Sequence, residues 1–114
     1  MKIMVYDKQK LLGNEAINRA EARANASFAK FGNSVKGVDI TVKDVNGPKG
    51  GIDKECRIVV RLKQMNDFAI TIKDESLSKA VSNAIQRAAR SVTRQLDRRM
   101  IRDVGKISKY GFGM

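Results

Sequence analysis

Apolar residues recur along this chain at two different periods. From Ser76 to Arg102, Leu77, Ala80, Val81, Ala84, Ile85, Ala88, Val92, Leu96 and Met100 return at three- and four-residue steps. That is the spacing of an amphipathic helix. Ser76 stands where an N-cap belongs, and no Gly or Pro interrupts the run before Gly105. A first helix is predicted from Asn14, as its cap, to about Phe31, with Gly32 and Asn33 as the stop. Its apolar face is Ile17, Ala20, Ala24, Phe28 and Phe31.

Elsewhere the period is two. Lys2 to Tyr6 places Ile3 and Val5 on one face and reads as a short edge strand. Val35 to Val45 alternates, with Val38, Ile40 and Val42 on one side and Asp39, Thr41 and Lys43 on the other. Glu55 to Lys63 alternates again, with Cys56, Ile58, Val60 and Leu62 inward. Phe68, Ile70 and Ile72 line a fourth strand. Asn46-Gly47-Pro48-Lys49-Gly50-Gly51 reads as a hairpin loop. It lacks the spacing of a phosphate-cradling loop and precedes a strand instead of opening a helix. The predicted fold class is α+β, a two-layer β-α-β-β-β-α domain with a four-stranded, mostly antiparallel sheet and two side-by-side helices on one face. Residues 1–104 read as that domain and 105–114 as a short flexible tail.

Charge changes the picture of the helices. The chain carries 23 Lys and Arg against 12 Asp and Glu, a formal net charge of +11. The excess is concentrated from Ser76 onward, where Asp97 and Asp103 are the only acids. Arg87, Arg90, Arg94, Arg98 and Arg102 form one stripe on the second helix, rotated away from the centre of its apolar face. On the first helix, Arg19, Arg23 and Lys30 lie together opposite the apolar face. Solvated helices usually mix signs at i,i+4; these stripes do not, and their like-charge pairs are mildly repulsive. A polyanionic partner is therefore favoured. An apolar face rich in Ala and Val, with no aromatic on the second helix, suits packing on a sheet better than entry into lipid.

Other chemistries find little here. Cys56 is the only cysteine and there is no His, so neither an intramolecular disulfide nor a Cys/His metal cluster is available. No run of apolar residues approaches membrane-spanning length. The acids read as strand faces, turns and a helix lead-in, and no nucleophile has a recognisable partner, so no catalytic site is assigned. No cofactor, small-molecule substrate or membrane is expected.

The element order resembles that of the ribosome hibernation promoting factors, also called sigma-54 modulation or ribosome-associated inhibitor proteins. The hairpin DVNGPKGGIDKECRIVVRL, Asp44 to Leu62, carries the more specific part of the likeness. The last helix, SLSKAVSNAI leading to RSVTRQLDRR, carries the rest. The resemblance covers about residues 1 to 100. It implies a cytoplasmic, ribosome-associated protein that binds rRNA in the decoding region of the small ribosomal subunit and inhibits translation under stress. It further implies that Arg87, Arg90, Arg94 and Arg98 match the basic positions of the family's last helix, and Arg19, Arg23 and Lys30 those of its first. Long members add a C-terminal dimerising domain; this chain is too short for one and reads as a short-form monomer. Two other readings remain beside it: a general double-stranded RNA-binding module, and a protein-interaction domain acting on a sigma factor.

Overall fold

The computed structural model describes residues 1–45 and 53–108, with 99–108 described by backbone alone. The predicted loop at 46–51 therefore lies outside the described residues. The elements are β1 (Lys2–Tyr6), α1 (Asn14–Phe28), a 3₁₀ segment (Ala29–Ser34), β2 (Val35–Asp44), β3 (Lys54–Leu62), β4 (Phe68–Asp74) and α2 (Leu77–Ser108). The four strands form one sheet in the order β1-β2-β3-β4. β2, β3 and β4 make an antiparallel meander, and β1 pairs with β2 in parallel at the edge. The expected α+β class holds, with β1 as the parallel strand of a mixed sheet.

Register explains the layering. Val38 stands opposite Ile3 on β1 and Val60 on β3; Ile40 stands opposite Val5 and Ile58. Ile58 in turn faces Ile70, and Cys56 faces Ile72. With a side-chain period of two, these rows all point to one face. That face is covered by α1 over β1 and by α2 over β3 and β4, with the two helices also packed on each other. One core results, in which Phe28, Ile40, Ile58, Ile85 and Val92 are fully buried. On α2, Ala80, Ala84 and Ala88 are completely enclosed, which lets the helix sit close to the sheet.

Of the two helix starts, one agrees with expectation and the other departs from it. Ser76 does cap α2: its Oγ accepts from Lys79 N at 3.4 Å and its carbonyl from Ala80 N at 3.0 Å. On α1 the cap residue is Gly13, with no side-chain hydrogen bond, and Asn14 is already helical. The turn before it is tied down from upstream, by Asp7 accepting from Leu11 N at 2.8 Å and Leu12 N at 2.7 Å. The α-helix stops at Phe28, short of Phe31, and tightens into the 3₁₀ segment around Gly32, whose φ is 57°. Phe31 still packs on Phe28, ring centroids 6.1 Å apart. The backbone of α2 stays helical through Ser108, so residues 105–108, read as the start of the tail, extend the helix. Residues 109–114 lie outside the described residues.

Candidate nucleic-acid interface

The sheet and the helices treat their charges differently. Every ion pair among the described residues lies on the sheet or its connecting ends: Lys43–Glu55 at 3.3 Å, Arg61–Asp39 at 3.2 Å, and Lys54 bridging Asp44 and Asp53 at 3.1 Å each. Lys54 is held more strongly protonated than usual, first by its hydrogen bond to Asp44 and then by that to Asp53. The bridge secures the strand ends of the β2–β3 hairpin, where Val45 N also donates to Asp53 O at 2.8 Å. Lys43, Lys54 and Arg61 are thus each matched by a carboxylate of the sheet or of its connecting ends.

On the helices, Arg19, Arg23, Lys30, Arg87, Arg90, Arg94 and Arg98 are all exposed, and none is in an ion pair among the described residues. Arg102 falls on the α2 backbone, and its side chain lies outside the described residues. What partners these cations do have are neutral. Arg23 Nη1 donates across the helix pair to Ser82 Oγ, and Arg94 Nη2 to Ser91 Oγ at 3.3 Å. Lys30 Nζ sits 5.3 Å from the centroid of the Phe31 ring, a cation–π distance. Each of these contacts leaves the positive charge available to an anion.

A trench runs between α1 and α2 and brings part of the set together. One end is lined by Arg23, Ser27 and Lys30 from α1 and by Ser82, Arg90 and Thr93 from α2. The other end has Leu12, Ala16, Ala20 and Val81 as its apolar lining, with Arg19 and Arg23 beside them. Arg87, Arg94 and Arg98 line neither end. At 3.6 residues per turn, Arg87 follows buried Ala80 by about two turns, and Arg94 and Arg98 keep nearly the same bearing. Ser82, Ala89 and Thr93, which do face α1, lie on the opposite flank of α2. The cations therefore spread from the trench, over Arg90 on the crest, to the shoulder of α2 turned away from α1.

Sequence reasoning passed over the hydroxyls of the trench. Ser78, Ser82 and Gln86 repeat at four-residue steps beside the apolar stripe, a row of small and polar residues where two helices approach. Cys56 has no place in the site. It is enclosed in the core, and burial, with the Glu55 charge adding to it, pushes its thiol up to about 12. Among the described residues no cluster of acids or thiols is arranged to hold a metal ion, and no helix is long and apolar enough to cross a membrane.

Solved structures share this architecture. The N-terminal domain of Protein Y from Thermus thermophilus superposes with a TM-score of 0.66 at 16% identity, covering 82% of this chain and 98% of that one. A ribosomal subunit interface protein from Coxiella burnetii gives a TM-score of 0.70 at 10% identity, covering 85% and 99%. Their fold is the fold of this chain. No family profile matches it, and no curated protein is similar in sequence. At such low identity the shared architecture extends to the placement of the two helices on the sheet and not to individual side chains.

Proposed function

We propose that this chain is a ribosome-associated translation inhibitor. It docks the helical layer on rRNA at the decoding region of the small ribosomal subunit and acts by occupancy, as a monomer in the cytoplasm. The observation that carries the reading is the separation of charge. Carboxylates pair with Lys43, Lys54 and Arg61 on the sheet, while the helix cations stand exposed and without acidic partners among the described residues. A neighbour in fold named for a ribosomal subunit interface supports the choice of partner, as does the likeness of the Asp44–Leu62 hairpin to the hibernation factors.

The mechanism makes and breaks no covalent bond. Guanidinium groups bind phosphate oxygens in forked pairs and release the condensed counterions of the RNA. Folded RNA is recognised chiefly through shape and backbone. A protein making 6–10 phosphate contacts loses roughly 10³–10⁵ in affinity between 50 and 200 mM salt. The test is cosedimentation with purified small subunits as salt is raised. Binding should fall steeply with salt and vanish when Arg87, Arg90, Arg94 and Arg98 are all changed to Glu. Retention of that variant on the subunits, or equal competition by plain duplex RNA, overturns the proposal.

A further inference from the structure

The trench between α1 and α2 has two ends of different chemistry, and the bond from Arg23 to Ser82 crosses between them. One end is apolar, with Leu12, Ala16, Ala20 and Val81 closing a space of about 410 Å³. The other, about 570 Å³, offers Lys30 and Arg90 together with the hydroxyl of Ser27, the Thr93 hydroxyl beside them already donating to Ala89 O at 3.2 Å. Among the described residues no carboxylate lines either end. An apolar slot joined to a cationic, hydroxyl-lined one matches a single nucleotide, whose base has apolar faces and whose phosphate is an anion.

We infer that the trench holds one unpaired nucleotide of a folded RNA, its base in the apolar end and its phosphate between Lys30 and Arg90. The inference rests on the proposed binding of rRNA and adds what the surface reads: an extruded base, and not the backbone alone. Both volumes are of the size that takes a small ligand. Splayed bases are the part of folded RNA that proteins reach most readily. The planar guanidiniums of Arg19 and Arg23 flank the apolar end, where either can stack on a base. Arg23 touches both ends and so sits where base and phosphate meet. The phosphate end has donors from both helices, so occupancy would also fix the spacing of α1 and α2.

The experiment compares two hairpin RNAs of equal nucleotide number in fluorescence anisotropy. One is fully paired; the other carries a single unpaired 2-aminopurine nucleotide in its stem. The whole chain should bind the bulged RNA about tenfold more tightly, the size of one base-stacking contact. The 2-aminopurine emission should change on binding. Ala16→Leu fills the apolar end and should abolish the preference while leaving the paired hairpin unaffected. Ala26→Leu, on an exposed α1 position outside the trench, makes the same change in bulk and should keep it. Equal binding of the two hairpins, or an Ala16→Leu protein that still prefers the bulge, overturns the inference. Displacement of the bulged RNA by millimolar adenosine monophosphate alone also overturns it, in favour of a free nucleotide. If small-subunit binding remains sensitive to the charge reversals on α2 in those cases, the proposed function stands and only the base-reading fails.

Discussion

Arg61 lies across Gly37 on the open face of the sheet, its guanidinium filling the space that a β-carbon at Gly37 would take. The two residues are register partners on β3 and β2, and Arg61 Nη1 is held by Asp39 Oδ2 at 3.2 Å. A β-carbon on Gly37 would also stand 3.0 Å from the carbonyl oxygen of Lys2 on β1. The glycine therefore admits an arginine on one strand and a parallel neighbour on the other. Gly37→Ala should force Arg61 off Asp39 and leave a largely buried carboxylate without its cation.

The effect is separable by a double-mutant cycle. Gly37→Ala should cost more stability with Arg61 in place than after Arg61→Ala, because the second change empties the space. Contacting residues typically couple by about 0.5–3 kcal/mol. Urea unfolding of the wild type, both single variants and the double variant measures the coupling. Effects that add within about 0.3 kcal/mol would show that Arg61 does not need the glycine.

The start of α2 makes a second prediction. Ser76 caps the helix through a 3.4 Å bond to Lys79 N, and its own N–H donates to Asp74 Oδ1 at 3.0 Å. Loss of a cap typically costs 0.5–2 kcal/mol. The bond is long, so Ser76→Ala should fall near about 0.5–1 kcal/mol, and Ser76→Gly nearer a few tenths. Thermal unfolding distinguishes them; an Ala variant as stable as the wild type would mean that the Asp74 contact alone ends the preceding strand.

Much of this fold is written locally, and the exceptions have physical causes. Alternation in β2, β3 and β4 is legible because one face is buried under helices, so each apolar residue reports its own side. Val35 and Val38 are both buried although three apart. The register shift between Val35 and Gly37 absorbs the odd step. The parallel pairing of β1 is not local: nothing in Lys2–Tyr6 says which neighbour it takes. At the start of α1, Asn14 looked like the cap, but Asp7 ties the turn from seven residues upstream. The exposure of the helix cations was legible from their spacing. Their division between trench and shoulder was not, because a stripe on one helix carries no information about where the other helix lies.

Cys56 gives a pH dependence whose sign can be worked out. The ordinary thiol value is 9.0, and in the folded chain burial raises it to about 12. Between those values the unfolded chain has lost the proton and the folded chain keeps it. Stability from this group is therefore complete below about pH 9 and is lost as pH rises toward about 12. Cys56→Ala should show a flatter decline in urea midpoint over that window, after allowing for its lower starting stability. At pH 8 the native thiol should react with iodoacetamide only as fast as the chain opens; rapid alkylation of the folded protein would contradict the burial.

The last prediction separates a specific cationic surface from the net charge of +11. Arg90 stands at the trench and Arg98 on the shoulder of α2, about two turns and roughly 12 Å further along the helix. Lys73 is equally exposed but lies on β4, pointing away from the helical layer in register with Glu55. All three substitutions to Ala remove the same charge. A residue that contacts a phosphate lowers the slope of log affinity against log salt by about 1 when removed. Arg90→Ala and Arg98→Ala should each do so on small subunits, and together lower it by about 2, since sites more than 7–10 Å apart act independently. Lys73→Ala should leave the slope unchanged. If it matches the arginines, the protein binds through its overall charge, and the helices confer no orientation on the complex. If Arg98→Ala alone behaves like Lys73→Ala, contact is confined to the trench and crest, and the far shoulder of α2 faces solvent in the bound state.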